Sequence, residues 1–510
     1  MINNNDFLIE KNVLLKYKGD GGLVAVPEGV AAIGQRAFAG CMTLIELELP
    51  ESLEEIGTEA FYGCGRLSKV KFPKTMKKIG GSAFYGCREL SSLSLLKGLT
   101  EIEENAFSGC QSLRDLTLPE GLVRINRSAF ASCRSLAELA LPDSVTSIGE
   151  FSFFDCGLTR LPVARGLKKM ERSAFSRCQS LTHVTIPQGV ETLERGVFYG
   201  CAKLTDVTLS ETVTEVDKGA FLECYNLVRI HVAPGNENYR EIDGLLCSRD
   251  GARLVYCPNG LTRVTVPKTV TEIDFEAFAC ANNLEEITFP EGLQRTGDRA
   301  FSRCGKITQL DLPGSLTELG EAVFEGCNRL TSMAIPDNVK HIGAGAFHKC
   351  SALLWIKLPQ GMSHDLRWFV NPHDPECRSA DHTTIPFITT RDVSDIRSNM
   401  GRRYAAIGFI RADIDGIMVE TRIREGYMEY IRNHLDLFHR EMMTDMEFLR
   451  WMTDHRMIKM NDIENLLAIA SAGGYTAASA ALLDYQKETF SPKNPDQMID
   501  LRFEQFDLSL

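Results

Sequence analysis

One short phrase, IGQRAFAGC at Ile33–Cys41, returns along the chain at a nearly fixed interval, and that interval limits the fold more than any single motif. Its phenylalanine recurs at Phe38, Phe61, Phe84, Phe107, Phe130, Phe153, Phe175, Phe198, Phe221, Phe278, Phe301, Phe324 and Phe347. The step is 23 residues, except for one of 22 between Phe153 and Phe175 and one of 57 between Phe221 and Phe278. A unit this short cannot bury its apolar side alone, so copies must stack on one another, and a period near 23 predicts a solenoid.

Each copy has two parts. Ile33, Ala37 and Cys41 lie four apart with Phe38 beside them, which predicts a short helical turn with that stripe buried. The period then falls to two: Leu44, Leu47 and Leu49 point inward from a strand and Glu46 and Glu48 point outward. Proline has no N–H to give to a ladder, so Pro50 ends the strand, and ten copies carry proline there, from Pro50 and Pro73 to Pro359. Leu53 and Ile56 return the chain to the core.

The elements A-F-x-G-C, L-x-x-L-x-LP and L-x-x-IG, seen at Ala60–Cys64, Leu67–Pro73 and Met76–Gly80, resemble those of the BspA-like leucine-rich repeats. The resemblance covers about residues 7–362. It implies a right-handed leucine-rich repeat solenoid with a parallel β-sheet on one face, and a family in which some members are surface adhesins. The expected architecture is an α/β solenoid of about 13 coils over 34–362, opened by a capping segment at 1–33 and followed by a connector at 363–387 and an all-α domain at 388–510.

Sixteen cysteines suggest a disulfide framework until their spacing is read. Twelve share one repeat slot: Cys41, Cys64, Cys87, Cys110, Cys133, Cys156, Cys178, Cys201, Cys224, Cys304, Cys327 and Cys350. A ladder of buried thiols acting as small hydrophobes is the expectation, and Ala281 in the same slot fits a demand for small size. Stacked coils are also close enough for inter-coil disulfides. No C-x-x-C pair points to a metal.

A net charge of −12 argues against nucleic acid as a partner. The first residues, MINNNDFLIEKNVLLKY, lack a basic and then apolar leader, and no stretch reaches 18 apolar residues. The chain is therefore expected to be cytoplasmic, without membrane insertion; removal of a leader would restore an extracellular location.

The 34 residues added between Phe221 and Phe278 contain IDGLLCSRDGARLVYCP, where Arg249, Asp250 and Gly251 separate two apolar runs, a hairpin signal. This insertion, about 233–260, echoes the N-terminal segment, with Phe7 matching Tyr239 and Val13–Leu14 matching Leu245–Leu246. It reads as a structural hairpin or as a flap over a ligand.

A binding face, if present, belongs to the outward strand slots. One slot read through the coils gives Glu46, Lys69, Ser92, Asp115, Glu138, Arg160, His183, Asp206 and Arg229, then Arg263, Glu286, Gln309, Ser332 and Trp355. The row is chemically varied, as a tailored face or a merely solvated one would be. Arg160, His183, Arg229, His231 and Arg263 form a basic zone, and Trp355 is either a binding anchor or packing for the next domain. The candidate protein-binding residues are Lys69, Asp115, Arg160, His183, Asp206, Arg229, His231, Arg263 and Trp355.

Beyond Met362 the repeat stops. His364, His373, Cys377 and His382 offer zinc-ligand types in a spacing that matches no finger pattern, so a polar loop is the simpler reading. Tyr427, Ile431, Leu435, Phe438 and Met442 follow helical spacing, Thr444–Glu447 reads as a capping box, and Asn461 caps a helix that ends at Gly473–Gly474 before another starts at Thr476. That last pair resembles an ankyrin-type helical hairpin and either closes the solenoid or binds a further partner. The sequence holds no P-loop, G-x-G-x-x-G, H-E-x-x-H or G-x-S-x-G motif, and no catalytic residue, cofactor or metal site is assigned. A non-catalytic protein-binding scaffold is the expected function; the alternatives are an adhesin for host matrix protein and an enzyme hidden in 388–510.

Overall fold

The computed structural model describes residues 6–95, 97–369, 386–396 and 398–490. Two compact units make up the chain: residues up to Arg329 with Lys340–Cys350, and Leu330–Val339 with Ser351 onward.

In the first unit, coils are joined through two strand positions. The longer one, exemplified by Leu44–Glu48 and Lys69–Lys71, pairs in parallel with Glu46 opposite Lys69. The shorter one pairs Ala32–Ile33, Glu55–Ile56 and Lys78–Ile79 side by side. Leu53 and Ile56 therefore do more than return the chain to the core, because Ile56 belongs to a second parallel sheet.

The Ala-Phe segment is not the helical turn that its spacing predicts. Ala37 N–H bonds to Gly34 O and Cys41 N–H to Phe38 O within a coil, whereas Phe38 N–H bonds to Ala60 O and Gly40 N–H to Tyr62 O of the next coil. Left-handed residues at Arg36 (φ 58°) and Gly40 (φ 75°) interrupt helical continuation and turn alternate N–H groups toward the neighbouring coil. The solenoid of 23-residue coils stands as expected, and only its helical turn differs: these coils close through β-turns, with a 3-10 helix at Lys218–Phe221.

The core is a stack of identical rings. Phe38, Phe61, Phe84, Phe107, Phe130, Phe153, Phe175, Phe198 and Phe221 run ring on ring, from 4.9 Å between the centroids of Phe38 and Phe61 to 5.9 Å between those of Phe175 and Phe198. Beside it runs the thiol ladder. Cys64 Sγ donates to Phe38 O at 3.1 Å, Cys110 Sγ to Phe84 O at 3.4 Å and Cys201 Sγ to Phe175 O at 3.2 Å. Each thiol thus satisfies a carbonyl of a neighbouring coil. Burial pushes the Cys201 thiol up to about 12 and holds Cys110 well above its usual value. Ala281 fills the slot after the insertion, leaving Cys280 half-buried.

The insertion is a three-stranded antiparallel meander, Tyr239–Ile242, Leu245–Ser248 and Arg253–Tyr256, and its last strand pairs in parallel with Glu272–Ile273. The N-terminal Phe7–Glu10 and Val13–Tyr17 form a bulged hairpin whose second strand pairs in parallel with Ala32–Ile33. Leu14 opposes Ile33 and Leu254 opposes Ile273, so the N-terminal hairpin corresponds to 247–257 by its place in the ladder. The match of Phe7 to Tyr239 identifies the right device one hairpin too early. Two groups pin the meander. Asn236 accepts from Tyr239 N–H through Oδ1 and donates from Nδ2 to Ser210 O and Val213 O, and the half-buried Lys218 donates from Nζ to Val255 O at 3.2 Å and lies 2.8 Å from Asp274 Oδ2. Burial lowers the Lys218 pKa against the opposing pull of Asp274.

In the second unit, Ser332–Ala334, Trp355–Lys357 and Phe387–Ile388 form a parallel sheet. The helical reading therefore begins too early, because residues 387–388 extend a strand ladder. Six helices follow among the described residues: α1 Asn399–Ile414, α2 Thr421–Asn433, α3 His439–Thr444, α4 Met446–Asp454, α5 Met460–Ala472 and α6 Thr476–Phe490. The stripe from Tyr427 to Met442 is buried as its spacing predicts, but it spans α2, a 3-10 turn at Leu435–Phe438 and α3 rather than one helix. Two caps move by a residue or more. Asp445, not Thr444, caps α4 by accepting from Glu447 N and Phe448 N, and α5 starts before Asn461, with Asp462 accepting from Lys459 N–H. Gly474, at φ 71°, follows α5 as expected.

Candidate functional site

Parallel pairing in register sets the outward strand slots of neighbouring coils side by side. Glu46 lies opposite Lys69, Ser92 opposite Asp115, His183 opposite both Arg160 and Asp206, Asp206 opposite Arg229, and Arg263 opposite Glu286. Lys69, Asp115, Arg160, His183, Arg229 and Arg263 are exposed, while Asp206 and His231 are half-buried. Trp355 leaves the row. It is 7% exposed, packs in the core that contains Phe387 and Phe409, and donates from Nε1 to Asp415 Oδ2 at 2.8 Å. Its indole is thus packing for the helical unit, not a binding anchor.

The basic zone is largely neutralised from within. His183 Nε2 lies 3.5 Å from Asp206 Oδ2, and His231 Nε2 lies 3.9 Å from the other oxygen of the same carboxylate. His231 Nδ1 is 3.0 Å from Glu241 Oε2, Arg229 Nε 3.8 Å from Glu241 Oε1, and Arg263 Nη2 3.3 Å from Glu286 Oε1. Glu241 comes from the inserted meander, so the 23-residue period gives no sign of it. Arg160 has no ion-pair partner among the described residues.

Arg160 also borders a cleft of about 620 Å³, lined by Glu138, Thr159, Arg160, Leu161, Val163, Thr182, His183 and Thr185. Its origin lies in the one 22-residue step. Cys156 is followed by proline after six residues, against nine from Cys133 to Pro142 and from Cys178 to Pro187. Pro162 therefore occupies the strand slot that Ala140 and Thr185 hold in the adjacent coils, and it has no N–H to donate there. Coils 137–141 and 159–163 form no strand of their own, apart from the single bridge between Arg160 and His183. Val163 is 51% exposed, whereas Leu141 and Ile186 in the corresponding slots are 7% and 1% exposed. The broken period was the available signal for this cleft; the outward swing of Val163 was not legible.

Of the zinc-ligand types, His364 lies among the described residues, and burial lowers its pKa with Arg391 adding to the shift. His373, Cys377 and His382 lie outside the described residues. Among the described residues no three His, Cys, Asp or Glu side chains gather as a metal site would need, and no helix is long and apolar enough to cross a membrane.

A family model for the BspA type leucine rich repeat region, in six copies, matches residues 22–137, 123–241 and 254–365, more than half of the chain. The chain belongs to the BspA-type leucine-rich repeat family. The matched part of this BspA-type protein ends before α1, so the six helices lie outside the repeat region. No curated protein sequence matches the chain. Similar solved structures include a leucine rich cell surface protein from Faecalibacterium prausnitzii, 26% identical over 70% of this chain and 88% of that one, with a TM-score of 0.43. A leucine-rich repeat protein from Bacteroides ovatus is 22% identical over 71% of this chain and 92% of that one, with a TM-score of 0.47. The pneumococcal vaccine antigen PcpA is 20% identical over 70% of this chain and 81% of that one, with a TM-score of 0.38.

Proposed function

We propose that this BspA-type chain is a non-catalytic protein-binding scaffold that grips its partner through the outward strand row of the solenoid. One observation carries the reading: inward slots repeat a single chemistry coil after coil, while outward slots, held in register beside them, change chemistry at nearly every coil. Packing alone constrains the inward slots, and a row of differing exposed side chains on a rigid ladder is what a specific protein surface requires. We place the scaffold inside the cell. The support is the thiol ladder, in which each buried Sγ–H satisfies a carbonyl, a bond that oxidation to a disulfide would remove.

The test is quantitative co-purification from the source organism's lysate, with the full chain and with a full-length variant carrying Lys69→Glu, Asp115→Lys and Arg229→Glu. Recovery of one partner by the wild type and its loss from the variant supports the row as the binding surface. Equal recovery by both moves binding off the row. Binding of host matrix protein in place of any lysate partner replaces the scaffold reading with that of a surface adhesin.

A further inference from the structure

We propose that the cleft at the short coil is the anchoring pocket of the row, and that it takes an extended peptide segment of a protein partner that sets one carboxylate beside an aliphatic side chain. This rests on the protein-binding reading above and narrows it to one place and one chemistry.

Three independent features meet there. Arg160 is the one member of the five-residue basic zone without an internal partner among the described residues, since Asp206, Glu241 and Glu286 serve the other four. Its planar guanidinium is exposed and offers a paired set of N–H donors that matches a carboxylate. Next to it, Val163 stands half in solvent in a slot that neighbouring coils bury, and it shares the cleft wall with Leu161. An aliphatic surface with water on one side favours a partner side chain that excludes that water. Finally, the loss of the regular ladder over 159–163 opens a concave space in the row, and concavity gives a short segment enough contact to be held.

Glu138, which also lines the cleft, sets the charge count. It disfavours a second acidic group, and the chain's net charge of −12 disfavours a strongly acidic partner. The fitting ligand therefore presents a single Asp or Glu next to Val, Leu or Ile, in an otherwise uncharged stretch.

The experiment is selection of a phage-displayed library of random linear peptides on the full chain, followed by affinity measurement of enriched synthetic peptides against wild type, Arg160→Glu, Val163→Asp and, as a control outside the row, Lys74→Glu. All three positions are exposed, and far-UV circular dichroism of each variant checks that it keeps its fold. Enrichment of an acidic residue beside an aliphatic one is expected, with affinity falling about tenfold or more in Arg160→Glu and in Val163→Asp and unchanged in Lys74→Glu. Peptides whose affinity is the same for wild type and both cleft variants overturn this proposal and leave the scaffold reading standing. If no peptide is retained by the wild type while the lysate partner is still lost from the row variant, the partner is recognised as a folded surface and the pocket proposal falls alone. If peptide and lysate partner both fail, the scaffold reading falls with it.

Discussion

In the first unit one phenylalanine slot recurs from coil to coil, with ring on ring, whereas in the second the helices are tied together by a cluster of unlike polar side chains. There Asp413 accepts from Trp451 Nε1 at 2.7 Å, holds Arg424 through both of its oxygens, and lies 3.6 Å from His455 Nε2, so one carboxylate ties α1, α2 and α4 together. A ring stack adds the same apolar packing coil after coil, so the contribution of each coil is large and local; a polar cluster shares one carboxylate among several partners, so its bonds are lost together. The units can be followed separately, because Trp355, Trp368 and Trp451 are the chain's only three tryptophans and all belong to the second.

The largest effect is expected where the repeat is most regular. Phe130 is fully buried between Phe107 and Phe153, at centroid distances of 5.5 and 5.6 Å, and Phe130→Ala should cost about 3–5 kcal/mol in urea unfolding followed by circular dichroism. A cost under about 1 kcal/mol would show that a coil can collapse around the gap, and the view of the ring stack as the main source of stability would be wrong. Asp413→Asn comes next, at about 2–3 kcal/mol, read by tryptophan fluorescence, since it strands Arg424 without its counter-charge. Burial alone would raise the Asp413 pKa, but the bonds from Arg424 and Trp451 outweigh it and hold the carboxyl below its usual value. The stability this group contributes is therefore complete at neutral pH and lost as pH falls through the depressed pKa. Wild type should lose fluorescence-monitored stability on acidification more steeply than Asp413→Asn, and parallel acid profiles would count against the cluster.

Cys201→Ala removes one small buried group and its bond to Phe175 O, with an expected cost of about 1 kcal/mol. With its thiol raised to about 12, Cys201 carries almost no thiolate at neutral pH. Among the described residues, native-state labelling with a thiol reagent should therefore reach the half-buried Cys41 and Cys280, and rapid labelling across the ladder would refute its burial. The smallest change is expected on the row itself: Lys69→Ala breaks an exposed pair with Glu46 at 3.9 Å and should shift stability by under about 0.5 kcal/mol.

Periodicity made the solenoid legible because each inward slot obeys one packing rule thirteen times, so Phe38, Cys64 and Leu67 declare their burial by recurrence. It failed where the backbone changes hand. Arg36 is an ordinary residue for a helix, and only the left-handed φ it adopts reveals the β-turn. The helical unit shows a second limit: the spacing of Tyr427, Ile431, Leu435, Phe438 and Met442 correctly marks a buried stripe but carries no sign of the break at His434. The row was legible as a set of positions, since strand alternation fixes which side chains point outward. Its charge pairing was not, because Glu241 reaches His231 and Arg229 from an insertion outside the period. Trp355 sits in an outward slot by count and is buried because the strand at Phe387–Ile388 pairs beside it, a pairing between residues more than thirty positions apart.

The hairpin that opens the ladder at Phe7–Tyr17 is built again at 247–257, with the next coil joined at the same offset. The repeat array thus has two starting points rather than one. A whole coil gained or lost within either block, in steps of one period, would leave in place the hairpin that precedes that block's first coil, so each block carries its own punctuation.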